Sequence, residues 1–128
     1  MRIFGIGTDI VDIGRMRRGL GRHGERFARR ILAAEEMEGF HRAGDAAAYL
    51  ARRFAAKEAA AKAMGTGFRD GLFLRHIAVT HDPLGRPRLN CSGRAAQWMA
   101  EHGIAASHLS LSDERDHAVA LVVLEVRD

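Results

Sequence analysis

Asp9, Glu58 and Lys62 are the residues whose types and positions suit chemistry on a charged substrate. Asp9 lies in the otherwise apolar stretch Gly7–Val11, where a carboxylate is costly unless it is paired or bound to a metal. Glu58 and Lys62 lie one helical turn apart among alanines. Together the two carboxylates suit Mg²⁺, which takes one or two of them along with substrate phosphates. The lysine would suit phosphate oxygens beside that ion.

Each of these residues also has a simpler explanation. Asp9 could accept backbone hydrogen bonds at the end of a strand. Glu58 followed by Lys62 is the favourable order for an ion pair on a helix surface, which adds only about 0.2–0.5 kcal/mol. From the residues alone, both interpretations stay open.

A third polar group, His108–Ser112, alternates with the period of a β-strand. The histidine and the two serines would share one face of that strand, and the two leucines would face the core. A cation and hydroxyl groups suit phosphate oxygens. The same alternation is also typical of a strand with one face in solvent, so this group alone does not decide between the two.

Other catalytic and binding motifs are incomplete. Gly5-Ile6-Gly7 and Gly65-Thr66-Gly67 do not complete the dinucleotide-binding pattern, because Ile10 and Asp70 stand where it needs glycine. The sequence contains no P-loop motif and no GxSxG motif. The 7 histidines show no zinc-ligand spacing. The single cysteine, Cys91, is more typical of a small apolar strand residue than of a nucleophile.

The composition describes a basic chain of 128 residues with a formal net charge of +4. Such a chain suits phosphorylated ligands, acidic proteins, anionic membranes or nucleic acid. Aromatic residues are only 6% of the sequence, which disfavours a surface that stacks on bases, so we expect no nucleic-acid partner. No stretch approaches the roughly 20 apolar residues that span a bilayer, and the first residues resemble no signal peptide. We therefore expect a cytoplasmic protein without a membrane span.

The first half of the chain predicts a strand followed by helices. A strand is expected over Arg2–Ile13, and a basic helical region from Gly14 to about Leu32. Three glycines are expected to break this region into two short pieces: Gly19, Gly21 and Gly24. A short helix over Ala34–His41 precedes the strongest element, an alanine-rich helix over Ala46–Met64, with Asp45 as its N-cap and Gly65 as its end.

The second half predicts mostly strands. These expected elements are a hairpin of His76–His81 with Arg88–Cys91, a helix over Gly93–His102, and the strands His108–Ser112 and Ala118–Val126. The sequence shows no repeat and no linker. We therefore predict an α+β fold, one domain over residues 1–128, with the long alanine-rich helix packed on an antiparallel sheet.

Two segments closely resemble the 4′-phosphopantetheinyl transferase superfamily: Gly5–Ile13 and Arg53–Gly67. Gly85-Arg86-Pro87 and the strand His108–Ser112 follow in the same order, so the resemblance spans nearly the whole chain. The short length resembles the holo-acyl-carrier-protein synthase branch. This resemblance implies Mg²⁺-dependent transfer of 4′-phosphopantetheine from coenzyme A to a serine of an acyl carrier protein, in fatty acid biosynthesis. It also implies a homotrimer with active sites between subunits.

The resemblance assigns a role to each matching residue. Asp9 and Glu58 would hold Mg²⁺, and Lys62 would contact the pyrophosphate and assist departure of adenosine 3′,5′-bisphosphate. Asp9 would be the general base, directly or through a water molecule. The residues that would line the coenzyme pocket are Arg53, Lys62, Gly65, Thr66, Gly67, Pro87, His108 and Ser110. Asp113 stands where relatives often have histidine, so no role is assigned to it.

With this resemblance, the basic region predicts a docking surface for an acidic acyl carrier protein. The residues of that surface would be Arg15, Arg18, Arg22, Arg26, Phe27 and Arg29. Charge would steer the partner and the aromatic ring would anchor it. Two rival hypotheses are a non-enzymatic basic module that binds nucleic acid or an acidic protein, and a different Mg²⁺-dependent nucleotide-binding transferase.

Overall fold

The computed structural model describes residues 1–128 and has five strands and five α-helices. In chain order they are β1 (Arg2–Asp12), α1 (Ile13–His23), α2 (Glu25–Ile31), α3 (Met37–Arg42), α4 (Ala46–Met64), β2 (Ile77–His81), β3 (Pro87–Cys91), α5 (Gly93–Glu101), β4 (Ile104–Asp113) and β5 (His117–Val126). Short 3₁₀ turns lie at Ala34–Glu36 and Leu74–His76. The predicted α+β fold is confirmed.

Helix α4 has the predicted bounds because both of its ends are encoded locally. The side chain of Asp45 accepts hydrogen bonds from the amides of Ala47 and Ala48, at 3.1 and 3.2 Å. Gly65 ends the helix in the left-handed conformation, with φ of 81°. This end matters for the site, since Lys62 lies in the last turn.

Strands β1, β5 and β4 form one antiparallel sheet in that order, and β2 and β3 form a separate hairpin. Helix α4 covers one face of the three-stranded sheet. The β5 residues on that face are fully buried: Ala118, Ala120, Val122 and Leu124. The opposite face carries exposed apolar side chains: Ile3, Ile6, Ile10, Val119 and Leu121.

Two glycines of β1 let α4 approach the sheet closely. A Cβ atom on Gly5 would overlap the carbonyl oxygen of Ala63, and a Cβ atom on Gly7 would overlap that of Ala59. Gly5, Gly7, Asp9 and Val11 alternate along β1, so they share the face toward α4. The glycines therefore bring the helix near the carboxylate that follows them.

The basic region forms the two predicted helical pieces, but only one of its three glycines lies at the break. Only Gly24 separates α1 from α2, and Gly19 and Gly21 lie within α1. Gly19 serves packing instead, because a Cβ atom there would lie 2.6 Å from Cε1 of Phe27. β4 begins at Ile104 rather than at His108, because its first residues pair with the end of β5. No helix is both long enough and apolar enough to cross a bilayer.

Candidate active site

Asp9 and Lys62 meet where β1 crosses the last turn of α4. Lys62 Nζ donates to Asp9 Oδ1 at 2.9 Å and to the carbonyl oxygen of Thr8 at 2.9 Å. Asp9 faces the helix because its register partner, Ala120, is buried under α4. The surface ion pair between Glu58 and Lys62, one of the two interpretations above, is wrong. Lys62 reaches across to the strand instead.

Glu58 is partly buried on the same side of α4, one turn before Lys62. Burial raises the pKa of Glu58, and the negative charge of Asp9 raises it further. Lys62 and Arg15 act in the opposite direction on this pKa. The charge of Asp9 therefore disfavours the charged form of Glu58. Their oxygens are the hard donors that Mg²⁺ accepts, and a divalent cation between them would relieve the repulsion, so these residues fit the ion.

Pro87 and His108 line a second feature, a cavity of about 620 Å³ between β3 and the start of β4. Arg86 and Arg88 line the same cavity, and the sequence had not singled them out as site residues. His108 Nε2 lies 2.6 Å from Glu125 Oε1. The structure thus brings together two residues predicted to line a coenzyme pocket. Two further arginines make this cavity suitable for a phosphate group.

Gly65 and Thr66 line a third feature, a cavity of about 420 Å³ beyond the end of α4. Arg69, Arg94 and Trp98 line it as well. Gly67 lies in the same turn but does not line the cavity. The hydroxyl of Thr66 is buried without a hydrogen-bond partner in the chain. The arginines come from segments on either side of the hairpin, so sequence spacing gave no sign of this cluster.

Arg53 and Ser110 lie away from the Asp9–Lys62 pair. Arg53 is only 8% exposed. Its guanidinium lies over the ring of Tyr49, at 3.7 Å from the centroid, and burial lowers its pKa. Ser110 pairs with Leu121 on the exposed face of the sheet, which is opposite to the face of Asp9. Their predicted place in a coenzyme pocket stays a prediction.

The predicted site residues do not form one closed pocket within a single chain. Asp9, Glu58 and Lys62 line none of the cavities, and the two cavities described above share no lining residue. We call the Asp9–Glu58–Lys62 group the carboxylate half-site and the Arg86–Pro87–Arg88–His108 group the arginine half-site.

The predicted docking surface on α1 and α2 adjoins the carboxylate half-site, since Arg15 lies close enough to Glu58 to lower its pKa. Two of its arginines are paired within the chain. Arg18 lies 3.8 Å from Asp12, and Arg29 lies 2.7 Å from Glu25. Three others have no carboxylate within 4.0 Å: Arg15, Arg22 and Arg26. Phe27 and Arg26 line a small cavity of about 170 Å³.

Sequence reasoning missed the most buried charged pair in the chain. Lys57 is fully buried and its ammonium lies 2.6 Å from Glu36 Oε1. Nothing in the sequence singled out Glu36. The signal was weak, because Lys57 stands beside Glu58 and before Lys62 in what resembles one charged helix face.

Comparisons with known proteins cover nearly the whole chain. The model of the 4′-phosphopantetheinyl transferase superfamily matches residues 5–122. The holo-[acyl-carrier-protein] synthase of Halorhodospira halophila (strain DSM 244 / SL1) is 57% identical over 122 residues, which cover 95% of this chain and 97% of that protein.

Solved structures agree with these sequence matches. The crystal structure of holo-[acyl-carrier-protein] synthase from Neisseria meningitidis is 48% identical with a TM-score of 0.92, covering 97% of this chain and 99% of that one. The synthase from Bacillus anthracis str. Ames, in complex with CoA (3′,5′-ADP), is 35% identical with a TM-score of 0.81, covering 98% of each chain. The chain therefore belongs to the 4′-phosphopantetheinyl transferase superfamily, as a transferase of the branch that holds the holo-acyl-carrier-protein synthases.

Proposed function

We propose that this enzyme transfers 4′-phosphopantetheine from coenzyme A to a serine hydroxyl of an acyl carrier protein, with Mg²⁺, in fatty acid biosynthesis. The observation that carries the proposal is the carboxylate half-site, where the charge of Asp9 raises the pKa of Glu58 and the Lys62 ammonium contacts Asp9. The names of the relatives and the nucleotide bound to the Bacillus anthracis synthase support the same substrate.

In the proposed reaction, the serine oxygen forms a bond to the β-phosphorus of coenzyme A. The bond from that phosphorus to the bridging oxygen breaks, and adenosine 3′,5′-bisphosphate leaves with the electron pair. Asp9 takes the proton of the serine hydroxyl, a contribution of about 10²–10⁴-fold for a well-placed base. The Lys62 ammonium would offset the charge on the departing oxygen.

Asp9 and Glu58 are the residues that would hold Mg²⁺. When bound, the ion supplies Lewis-acid stabilisation of the phosphoryl oxygens, worth several kcal/mol. Glu58→Ala removes one of its two protein ligands, so we expect transfer to fall below about 1% of the wild-type rate with an unchanged circular dichroism spectrum. Full activity in a folded Glu58→Ala variant would overturn the assignment of this half-site.

The site is completed, in this proposal, by a second copy of the chain in a homotrimer. The exposed sheet face supports this, since Ile3, Ile6 and Ile10 are 65%, 62% and 64% exposed, which is unusual for adjacent large apolar residues. Within one chain, no residue of the carboxylate half-site lines the cavity of the arginine half-site. A neighbour could place its arginine half-site against the carboxylate half-site of the first chain.

Mixing two inactive variants tests the shared site. Glu58→Ala damages the carboxylate half-site and His108→Ala damages the arginine half-site. If each site takes one half from each of two chains, an equal mixture that has exchanged subunits should recover about a quarter of the wild-type activity at subsaturating coenzyme A. Mixtures that stay as inactive as the separate variants would contradict a site between subunits.

The carrier protein is proposed to dock on α1 and α2. Arg15, Arg22 and Arg26 have no carboxylate of this chain within 4.0 Å, so their charges can attract an acidic partner. Arg15 also lies beside Glu58, so a partner held there would have its serine near the carboxylate half-site. Rim charges of this kind act mainly on the association rate, which falls as salt rises.

A further inference from the structure

Lys57 and Glu36 form a buried ion pair that also makes hydrogen bonds to the backbone. The Lys57 side chain has no exposed area. Its Nζ donates to Glu36 Oε1 at 2.6 Å, to the carbonyl oxygen of Ile77 at 2.6 Å and to that of Leu74 at 3.2 Å. An ammonium has three donors, so all of them are used.

Both carboxylate oxygens of Glu36 accept hydrogen bonds as well. Its side chain is 1% exposed, and Oε1 also accepts the amide of Ala33 at 2.9 Å. Oε2 accepts the amide of Val79 at 2.9 Å and lies 3.4 Å from Nε of Arg53. The two side chains together satisfy four backbone groups, which are two amides and two carbonyls.

These four backbone groups belong to two segments that are far apart in the sequence. One is the 3₁₀ turn at Ala34–Glu36 with the residue before it. The other runs from Leu74 to Val79, where the 3₁₀ turn passes into β2. β2 forms a hairpin with β3, and β3 begins with Pro87 of the arginine half-site. Lys57 itself precedes Glu58 of the carboxylate half-site on α4.

We propose that Lys57 and Glu36 are positioning residues that fix the β2–β3 hairpin relative to α4, and so fix the arginine half-site relative to the carboxylate half-site. The inference rests on the proposed function, in which coenzyme A is held by both half-sites. In that proposal each chain contributes its two half-sites to two different active sites. A change at Lys57 in all chains would therefore displace the residues that hold the nucleotide in every active site of the assembly.

The chemistry of the pair favours positioning over a role in stability alone. Burying two charges carries a desolvation penalty that their attraction repays only with excellent geometry and further hydrogen bonds. Here each donor of Lys57 has a defined oxygen acceptor, one in the Glu36 carboxylate and two in the backbone carbonyls of Leu74 and Ile77, so the hairpin can sit in one place relative to α4. Apolar side chains of the same size would fill the space without defining that place, since dispersion contacts are not directional.

The variants Lys57→Met and Glu36→Gln test this role. Lys57→Met keeps the length of the side chain and removes its three donors, and Glu36→Gln keeps the shape and removes the charge. Leu50→Ala is the matched control, because Leu50 is a fully buried residue of the same helix with no hydrogen bond to the hairpin. The assay is steady-state transfer to an apo acyl carrier protein below the melting temperature of each variant, with hydrogen exchange of residues 77–81 alongside.

We expect the KM for coenzyme A to rise at least about tenfold in Lys57→Met and Glu36→Gln, since misplacement by 1 Å can cost up to about 10²-fold. kcat at saturating coenzyme A should change by less than about threefold, because the carboxylate half-site is intact. Exchange of residues 77–81 should speed up in both variants. Leu50→Ala should lower the melting temperature without moving this KM.

The outcomes separate this inference from the proposed function. No transfer by the wild-type enzyme would overturn the proposed function itself. Wild-type transfer with an unchanged KM in folded variants would overturn only the positioning role. A tenfold rise in KM in Leu50→Ala as well would also overturn it, because general loss of stability would then explain the effect. If Lys57→Met does not fold, Glu36→Gln decides the question.

Discussion

The contact between Gly7 and α4 gives the sharpest prediction about how the fold builds the site. Gly7 is buried in β1 against the helix. A Cβ atom there would overlap the carbonyl oxygen of Ala59 and would lie 2.7 Å from the amide nitrogen of Ala63 and 2.9 Å from Cβ of Lys62. The first two obstacles are backbone atoms, which cannot rotate away. Gly7→Ala must therefore push the helix off the strand.

The magnitude follows from these distances. Ordinary van der Waals contact begins at 3.4 Å, so the Cβ atom and the carbonyl oxygen of Ala59 must move apart by about 1.4 Å. Overpacking of this kind typically costs about 1–3 kcal/mol, and the backbone obstacle favours the upper end of that range. For a domain of this size, a loss of 3 kcal/mol lowers the melting temperature by about 12 °C. The same shift separates Lys62 from Asp9, and transfer should fall by up to about 10²-fold.

Thermal unfolding at one fixed protein concentration, with transfer kinetics, is the assay. Gly21→Ala is the control, since nothing lies within 4 Å of a Cβ atom at that position of α1. There the same chemical change should stabilise the protein by about 0.5–1 kcal/mol, because alanine suits a helix better than glycine. A melting temperature of Gly7→Ala within about 2 °C of the wild type would be only about one sixth of the expected shift. Such a result would refute the close approach of strand and helix.

Two further predictions concern a helix cap and a thiol. Asp45→Ala should destabilise the protein by about 1 kcal/mol at pH 7, because Asp45 caps α4, whereas Asp45→Asn keeps a cap acceptor and should cost less. The hydrogen bond from Arg17 holds the pKa of Asp45 below its ordinary value of 3.8, so the charged carboxylate stabilises the fold above that pH. The difference in free energy of unfolding between the wild type and Asp45→Ala should therefore become smaller as the pH falls through the lowered pKa. Chemical denaturation between pH 2.5 and 7 measures this, and a gap independent of pH would contradict it. Burial raises the pKa of Cys91 to about 11, so about one thousandth of the thiol is ionised at pH 8. Alkylation of the folded protein by iodoacetamide should then be at least about 100-fold slower than in guanidinium chloride, and equal rates would show that the thiol is accessible.

The predictable part of the fold depends on local signals. Asp45 and Gly65 set the ends of α4 through interactions within a few residues of sequence, so the sequence was enough to place them. The hairpin of β2 and β3 was predictable for the same reason, since Asp82 accepts the amides of Leu84 and Arg86 in the turn.

The unpredicted part depends on contacts between distant residues. Gly19 stays helical because the Phe27 ring lies on it, which no local pattern reveals. Lys62 pairs with Asp9, which is 53 residues away, rather than with the nearby Glu58. Lys57 has the same residue type as Lys62 and lies five positions before it, yet the side chain is fully buried. Residue type showed where charge could act, and only tertiary packing decided which charges face solvent.

The proposed Mg²⁺-dependent transfer at the carboxylate half-site can be measured from the intact mass of an apo acyl carrier protein. The carrier is incubated with this enzyme, coenzyme A and Mg²⁺, with and without a chelator, and Glu58→Ala is run in parallel. We expect the carrier to gain the mass of one phosphopantetheine group with the wild-type enzyme, and to gain none with the chelator or with Glu58→Ala. No gain with any of several carriers, or an equal gain in the presence of the chelator, would contradict it.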